Sequence, residues 1–395
     1  MLDAFLRLAR EPSAEKELRA EVANHVTAVR ASAKRGDRSL VRQAEAAVRA
    51  DPGVFSFDAS GHATLKAAGH AWSAGRFEAA SLGDLRARTK ARKERLFAEK
   101  KPASPPRARL FLVDGQGPAT DIGAMQASAG DASLFQVASQ YNCLESPGPF
   151  ITPVERYLSD PTQGPRASVS AFPGTLLRHY AAPGKDGERF VQVSDGPQIE
   201  LLGDVCPEAI ARAQNGYLMD DSIHDTAAFF AAIHDEFDAI KVGVHEGVEV
   251  VLGYDWDGAV LGGQRRTIAQ VLTSTVAGGS YGGEALGAMF EPICRVLQRA
   301  AYLGTLLAAA SLGKTRVVLT LIGGGVFSNP VAVIWEAIQV ALAEVEPLLA
   351  EDLDVIVNGR DLISRFPKAT LMAAVRARNG AAMMFDRAGN VTFER

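Results

Sequence analysis

The sequence predicts an α/β fold, a mixed and mostly parallel sheet flanked by helices and preceded by a helical N-terminal region. Three observations predict it. From residue 108 onward, short β-branched and aliphatic runs alternate with longer helix-like segments, the pattern of strands joined by crossover helices. The clearest of these runs, residues 317–322, ends in Gly323-Gly324-Gly325 and leads into an apolar helix. Charge divides the chain: through Arg109 there are 22 Lys and Arg against 13 Asp and Glu, and beyond it 20 against 33.

Taken in order, residues 1–101 read as a basic accessory region. Residues 17–35, 39–50 and 82–101 are rich in helix formers, and residues 53–72 suit a hairpin or a further short helix. Residues 102–107, with three prolines, read as a stiff linker to a second domain spanning 108–395. The charges of residues 86–101 are not regularly interleaved with aromatic rings, so no specific nucleic-acid contact is predicted. A solvated helical face, or contact with an acidic partner, suits them better.

With 395 residues and 47% apolar content, the chain can bury a sizeable core. No run of about 18 uncharged apolar residues is present, and the start is amphipathic without a signal-peptide core. No membrane contact is expected. Cys143, Cys206 and Cys294 lack metal-ligand spacing and are odd in number, which fits a reducing, cytoplasmic setting. His234, His245 and Glu246 lie close in sequence without a ligand pattern, and no metal or other cofactor is predicted. Cys143 reads as a small packing residue rather than a nucleophile.

In the second domain, residues 109–113 and 133–139 are predicted strands. Residues 146–165 form a long, proline-punctuated loop, and loops of that length usually do something. Residues 166–180 suit a helix interrupted at Pro173-Gly174. Strands follow at 246–253 and, shorter, at 267–272. A long apolar helix runs from Glu284 to about Ser311, and after the 317–322 strand come a helix at 331–349 and a strand at 353–357. Ligands of such sheets sit beyond the carboxyl ends of the strands. Asn142, Gly323 and Asn358 all stand just past such ends.

The glycine run lets the backbone turn sharply and expose N–H groups before a helix, which makes an anion site, most naturally for a phosphate or diphosphate. No Lys-Ser or Lys-Thr follows, which argues against a P-loop, and Ser328 stands where a dinucleotide fingerprint needs its third glycine.

Over residues 109–360 the set of motifs resembles the macrodomain family of ADP-ribose binders. Gly324-Gly325-Val326-Phe327 is similar to the family's diphosphate loop. Thr120-Asp121-Ile122 is similar to its Gly-Asp-Ile, with Thr120 in place of the glycine, and Asn142 stands where the family's asparagine meets the distal ribose. The usual glycines after that asparagine are absent. The Asn142-Cys143-Leu144-Glu145 and Thr162-Gln163-Gly164-Pro165 blocks resemble instead a divergent branch of MavL-like ADP-ribosylhydrolases, which remove ADP-ribose from arginine.

The resemblance implies a macrodomain-like fold and an ADP-ribose site formed by Asp121, Ile122, Gly164, Gly323, Gly324, Gly325, Val326, Phe327, Ser328, Asn329 and Asn358. It also implies that ADP-ribosylated protein is the substrate. Glycosidic cleavage at the distal ribose passes through an oxocarbenium-like state that carboxylates serve. Glu145 and Asp160 are therefore the expected catalytic acids, with Asn142 and Gln163 positioning ribose hydroxyls or water. Glu155 is a reserve candidate, and Tyr281 between two glycine pairs either stacks on a ligand or anchors a turn. Two other readings keep the same pocket: a non-catalytic ADP-ribose reader, and a hydrolase of a free ADP-ribose derivative.

Overall fold

A computed structural model describes residues 1–8, 11, 15–100, 102–184, 187–260, 264–386 and 390–395. The strands are β1 (Phe55–Phe57), β2 (Ala63–Ala67), β3 (His70–Ser81), β4 (Ala108–Asp114), β5 (Ser133–Ala138), β6 (Ala182–Pro183), β7 (Arg189–Phe190), β8 (Lys241–Val250), β9 (Arg266–Thr273), β10 (Arg316–Leu319), β11 (Leu353–Arg360), β12 (Ala382–Phe385) and β13 (Val391–Glu394). Among the described residues, β6 and β7 pair with each other and the other eleven form one sheet in the order β1-β2-β3-β8-β9-β5-β10-β11-β4-β12-β13. The centre, from β9 through β12, is parallel. Antiparallel strands close both sides. This is the mixed α/β sheet flanked by helices that the alternating pattern predicts.

Both faces of the parallel centre are covered, as its continuous apolar strands require. Val317, Leu319, Val355 and Val357 point to one face, where helices Phe290–Leu312 and Val331–Val345 pack. Val318, Ile356, Phe135 and Phe111 point to the other, with Ile122 and Met125 of helix Ile122–Ala127.

The N-terminal region departs from the expectation of a separate helical unit. Helices Glu15–Ser32, Ser39–Ala50 and Leu82–Glu99 form where expected and a further helix, Leu2–Leu8, precedes them, but residues 55–81 include three strands of the main sheet. Ala68 and Gly69, both at positive φ (51° and 75°), make a two-residue hairpin turn from β2 to β3. β3 then pairs with β8 from Arg76↔Glu246 to Ser81↔Lys241. Phe5 meets Phe111 edge-on at 5.6 Å, and Thr89 Oγ1 donates to the Leu307 carbonyl at 3.1 Å. Much of the basic charge of helix Leu82–Glu99 is answered within the chain: Arg86 pairs with Asp238, Arg88 with Glu78 and Arg92 with Glu351. Lys101, the expected end of that region, lies outside the described residues.

Three boundaries shift for local reasons. β10 stops at Leu319 rather than residue 322, because the Tyr302 hydroxyl donates to the Thr320 carbonyl at 2.8 Å and accepts from the Ile322 N–H at 3.1 Å, drawing these groups out of the ladder. The long apolar helix begins at Phe290, since Asp220 accepts from the N–H groups of Gly283 and Ala285 and holds that stretch as turns. Helix Gln163–Ser170 starts inside the expected loop, so Gln163, Gly164 and Pro165 occupy its first turn. Pro173 falls in the first turn of the next helix, Phe172–Tyr180.

Candidate active site

A cavity of about 380 Å3 opens at the carboxyl ends of the parallel strands. Its floor is Gln116 beyond β4, Ser139 and Gln140 beyond β5, Ser274 beyond β9, residues 320–327 beyond β10 and residues 358–361 at the end of β11. Glu145, Asp160, Gln163, Gly164, Tyr217 and Tyr281 complete the walls. Most of the predicted site residues thus converge on one space: Glu145, Asp160, Gln163, Gly164, Gly323, Gly324, Gly325, Val326, Phe327 and Asn358 all line it.

The glycine loop is shaped by one asparagine. Asn329 accepts from Thr275 Oγ1 and Gln298 Nε2, both at 2.9 Å, donates to the carbonyls of Val276 at 3.0 Å and Phe327 at 3.1 Å, and its own N–H meets the Gly323 carbonyl at 3.0 Å. Gly323 has φ +68°, and a Cβ there would stand 2.5 Å from Thr275 Cγ2. Only glycine fits. The loop so held leaves the N–H groups of Gly325, Val326 and Phe327 without a partner among the described residues. Free backbone donors before a helix suit an anion. Asn329 and Ser328 themselves do not line the cavity; they were expected to touch ligand, and instead Asn329 builds the loop and Ser328, at φ 52°, closes its turn onto the Gly325 carbonyl at 3.0 Å.

Glu145 is 4% exposed, and burial drives its carboxyl well above the usual carboxylate range. The nearby Arg178 guanidinium and a 3.3 Å hydrogen bond from Ser168 Oγ oppose that rise without cancelling it, and the charge of Asp160 adds to it. A carboxyl held neutral can give a proton. Gly164 lets the helix start crowd against it: a Cβ at Gly164 would lie 2.6 Å from Glu145 Oε2 and 2.1 Å from the Ala138 carbonyl oxygen. Asp160 is half-buried and accepts from the Thr162 N–H at 2.9 Å, which fixes the carboxylate at the entrance to helix Gln163–Ser170.

The segment carrying Asp160 is anchored from the N-terminal region. Glu45, buried on helix Ser39–Ala50, accepts from the N–H groups of Val154 (2.5 Å) and Glu155 (2.8 Å) and from the Tyr180 hydroxyl (2.6 Å). Glu155, the reserve acid, does not line the cavity and faces Arg42 at 3.5 Å. Behind Glu145, fully buried Arg178 donates to the Cys143 carbonyl at 3.1 Å and to Thr175 Oγ1 at 3.1 Å, with His245 Nδ1 at 2.8 Å. Cys143 is buried and its thiol is pushed up to about 12 by that burial, which makes it a poor nucleophile.

The remaining predicted residues support the cavity from outside. Asn142 donates to Gln198 Oε1 and to the Asn215 carbonyl, both at 3.0 Å, and accepts from the Leu144 N–H at 3.1 Å. Its amide is spent on the turn in which Cys143 adopts φ 61°, so it does not reach the cavity to position ribose or water. Asp121 caps helix Ile122–Ala127 by accepting from the Ala124 N–H at 3.0 Å, and its other oxygen pairs with Arg166. Neither Asp121 nor Ile122 lines the cavity. Gln163 accepts from the Ile122 N–H at 3.0 Å, tying that helix to the site wall. Asn358 donates to the Thr120 carbonyl at 2.9 Å and keeps a buried Oδ1 without a partner.

Several lining residues lie outside the predicted set, among them Tyr217, Tyr281, Arg360 and Arg365. Tyr217, Tyr281 and Phe327 form an aromatic wall, with ring centroids 5.1–5.7 Å apart. Tyr217 sits in a stretch without periodicity, and Tyr281 lent itself equally to turn and ligand. Arg360 and Arg365 stand at the far end, beyond a strand expected to stop at Val357. Among the described residues no group of three or more His, Cys, Asp or Glu could hold a metal ion. No helix among them is long and apolar enough to cross a membrane. A larger cavity of about 510 Å3 is lined by Tyr141 and Gly216 among others; none of the predicted site residues lines it.

No protein-family model matches the chain, and no curated protein sequence matches it. Solved structures do. Poly(ADP-ribose) glycohydrolase from Thermomonospora curvata matches with 16% identity over 86% of this chain and 98% of its own, at a TM-score of 0.39. The Deinococcus radiodurans enzyme in complex with ADP-ribose matches with 14% identity over 77% and 93%, at a TM-score of 0.38.

Proposed function

We propose that this protein hydrolyses the glycosidic bond between the distal ribose of ADP-ribose and a protein side chain, with arginine the preferred linkage. One observation carries the reading. A buried carboxyl whose proton affinity is raised by burial, Glu145, and a solvent-reachable carboxyl, Asp160, share a cavity with the unpaired N–H groups of the glycine loop. The loop suits a diphosphate, which sets the ribose against the two acids.

In this scheme Asp160 orients a water and accepts its proton as the oxygen bonds to the anomeric carbon. Glu145 gives its proton to the departing nitrogen as the carbon–nitrogen bond breaks. The two acids are thereby exchanged in protonation state and are reset through solvent. An arginine leaving group is favoured by the Tyr217, Tyr281 and Phe327 rings, since a planar guanidinium packs on aromatic faces while acids hold its N–H groups.

The test is release of ADP-ribose from arginine-, serine- and glutamate-linked proteins by wild type and Asp160→Ala, with ADP-ribose binding followed by calorimetry. Release from arginine that vanishes in the variant while binding persists is the expected result. Binding without release from any linkage would leave a reader, and turnover confined to free ADP-ribose derivatives would move the substrate class.

A further inference from the structure

The end of β11 holds an arginine in a position that folding alone does not favour. Arg360 has φ 52°, a left-handed backbone that is unfavourable for a non-glycine residue. It is the middle residue of a three-residue turn closed by the Asp361 N–H on the Gly359 carbonyl at 2.6 Å, and the ladder to β4 slips there, between Asn358 and Arg360. Strain of this kind concentrates where a side chain must be aimed.

The side chain so aimed is a charge without an adequate answer. Among the described residues its guanidinium makes one hydrogen bond, to the Thr120 carbonyl, and that is 3.4 Å long, beyond the ordinary range. Burial lowers its proton affinity, opposed by the charges of Asp121 and Asp361. Both of those carboxylates are already committed, Asp121 to Arg166 and Asp361 to Arg365 at 3.6 Å. Arg365 in turn donates to the Gly324 carbonyl at 2.6 Å, which fastens the glycine loop to this end of the cavity.

We propose that Arg360 binds the anionic part of the ligand and, with Arg365, makes the cavity selective for nucleotides carrying a diphosphate. This deepens the ADP-ribosyl reading and rests on it for the rest of the ligand. β10 and β11 are neighbours, and the glycine loop and Arg360 follow their carboxyl ends and line the same cavity, so an anion held there has both backbone N–H groups and a guanidinium available to it.

The experiment uses the full chain and calorimetry with ADP-ribose, adenosine and inorganic diphosphate, on wild type, Arg360→Lys and Arg360→Gly. Arg360→Gly should bind ADP-ribose and inorganic diphosphate about 10- to 100-fold more weakly, as expected for loss of a charge-assisted contact, and leave adenosine within about 2-fold. Arg360→Lys should fall between. Because glycine tolerates the left-handed turn, the melting temperature of Arg360→Gly should stay level or rise, an outcome a merely structural arginine would not give. Unchanged diphosphate binding, an equal loss of adenosine, or a lowered melting temperature would each overturn the assignment. Arg360-dependent binding of inorganic diphosphate with no binding of ADP-ribose would keep Arg360 and remove the ADP-ribosyl reading, whereas binding of neither would remove both.

Discussion

Glu45 and Val154 are joined by a 2.5 Å hydrogen bond from backbone N–H to carboxylate, across 109 positions of sequence. The same carboxylate takes the Glu155 N–H and the Tyr180 hydroxyl, so three donors from outside the cavity lining, two of them in the segment that leads to Asp160, converge on a residue of the N-terminal helices. Glu45→Ala should therefore lower kcat by about 10-fold or more through a loosened Asp160, with a smaller change in KM; each orphaned buried donor costs roughly 1–3 kcal/mol. Glu45→Gln retains one acceptor oxygen and should recover part of the rate. Steady-state kinetics on both variants, with melting curves beside them, would separate this from general destabilisation.

Glu145 gives a pH dependence with a fixed sign. Its folded-state proton affinity is raised by burial, so the stability it contributes is present below the ordinary carboxyl range and is lost as pH rises through its raised value. Activity that needs the protonated acid should fall over the same upper window. Glu145→Gln cannot ionise, and it should be nearly inactive yet melt higher than wild type as pH increases. Melting temperature against pH for the two proteins is the measurement; parallel curves would contradict the assignment.

His179 acts in the opposite sense. It is stacked on Tyr180 at 4.1 Å and lowered to about 4, chiefly by burial. Stability linked to it is present above the ordinary histidine range and is lost as pH falls from about 6.5 toward that value. His179→Gln should flatten the acid limb of a denaturation profile over this window.

Asn329→Ala removes four side-chain hydrogen bonds from the glycine loop. Stability should fall by about 2–4 kcal/mol. ADP-ribose affinity should fall more than the affinity for adenosine alone, since the loop is the diphosphate side. Calorimetry with both ligands, below the melting transition, would check this.

Much of the parallel centre was legible because its strands are buried on both faces and read as continuous apolar runs. β2 and β3 were not. Their inward positions are Ala63, Leu65, Ala67, Trp72 and Ala74, and alanine carries no strand preference, so the period-two pattern is faint and only Ala68-Gly69 marks the hairpin. At the site, a strand end and its glycines mark the glycine loop, whereas Glu145 and Asp160 were named through the family resemblance of the blocks around them. The sequence could not tell which amides reach ligand. Asn142 and Asn329 are as polar as Asn358, but the donors and acceptors that claim them come from residues 198, 215, 275 and 298, distant in the chain. Arg360 was hidden because a left-handed turn at a bulge has no signature when a non-glycine residue occupies it.

The pairing of β3 with β8 also sets a timetable for synthesis. Phe77 lies opposite His245, roughly 170 residues later, so the edge that β8 completes stays open while the intervening chain is being made. The segments bearing Glu145 and Asp160 emerge in that interval, before their supporting histidine and arginine network can close. Nascent chains released early would therefore expose a long unpaired edge.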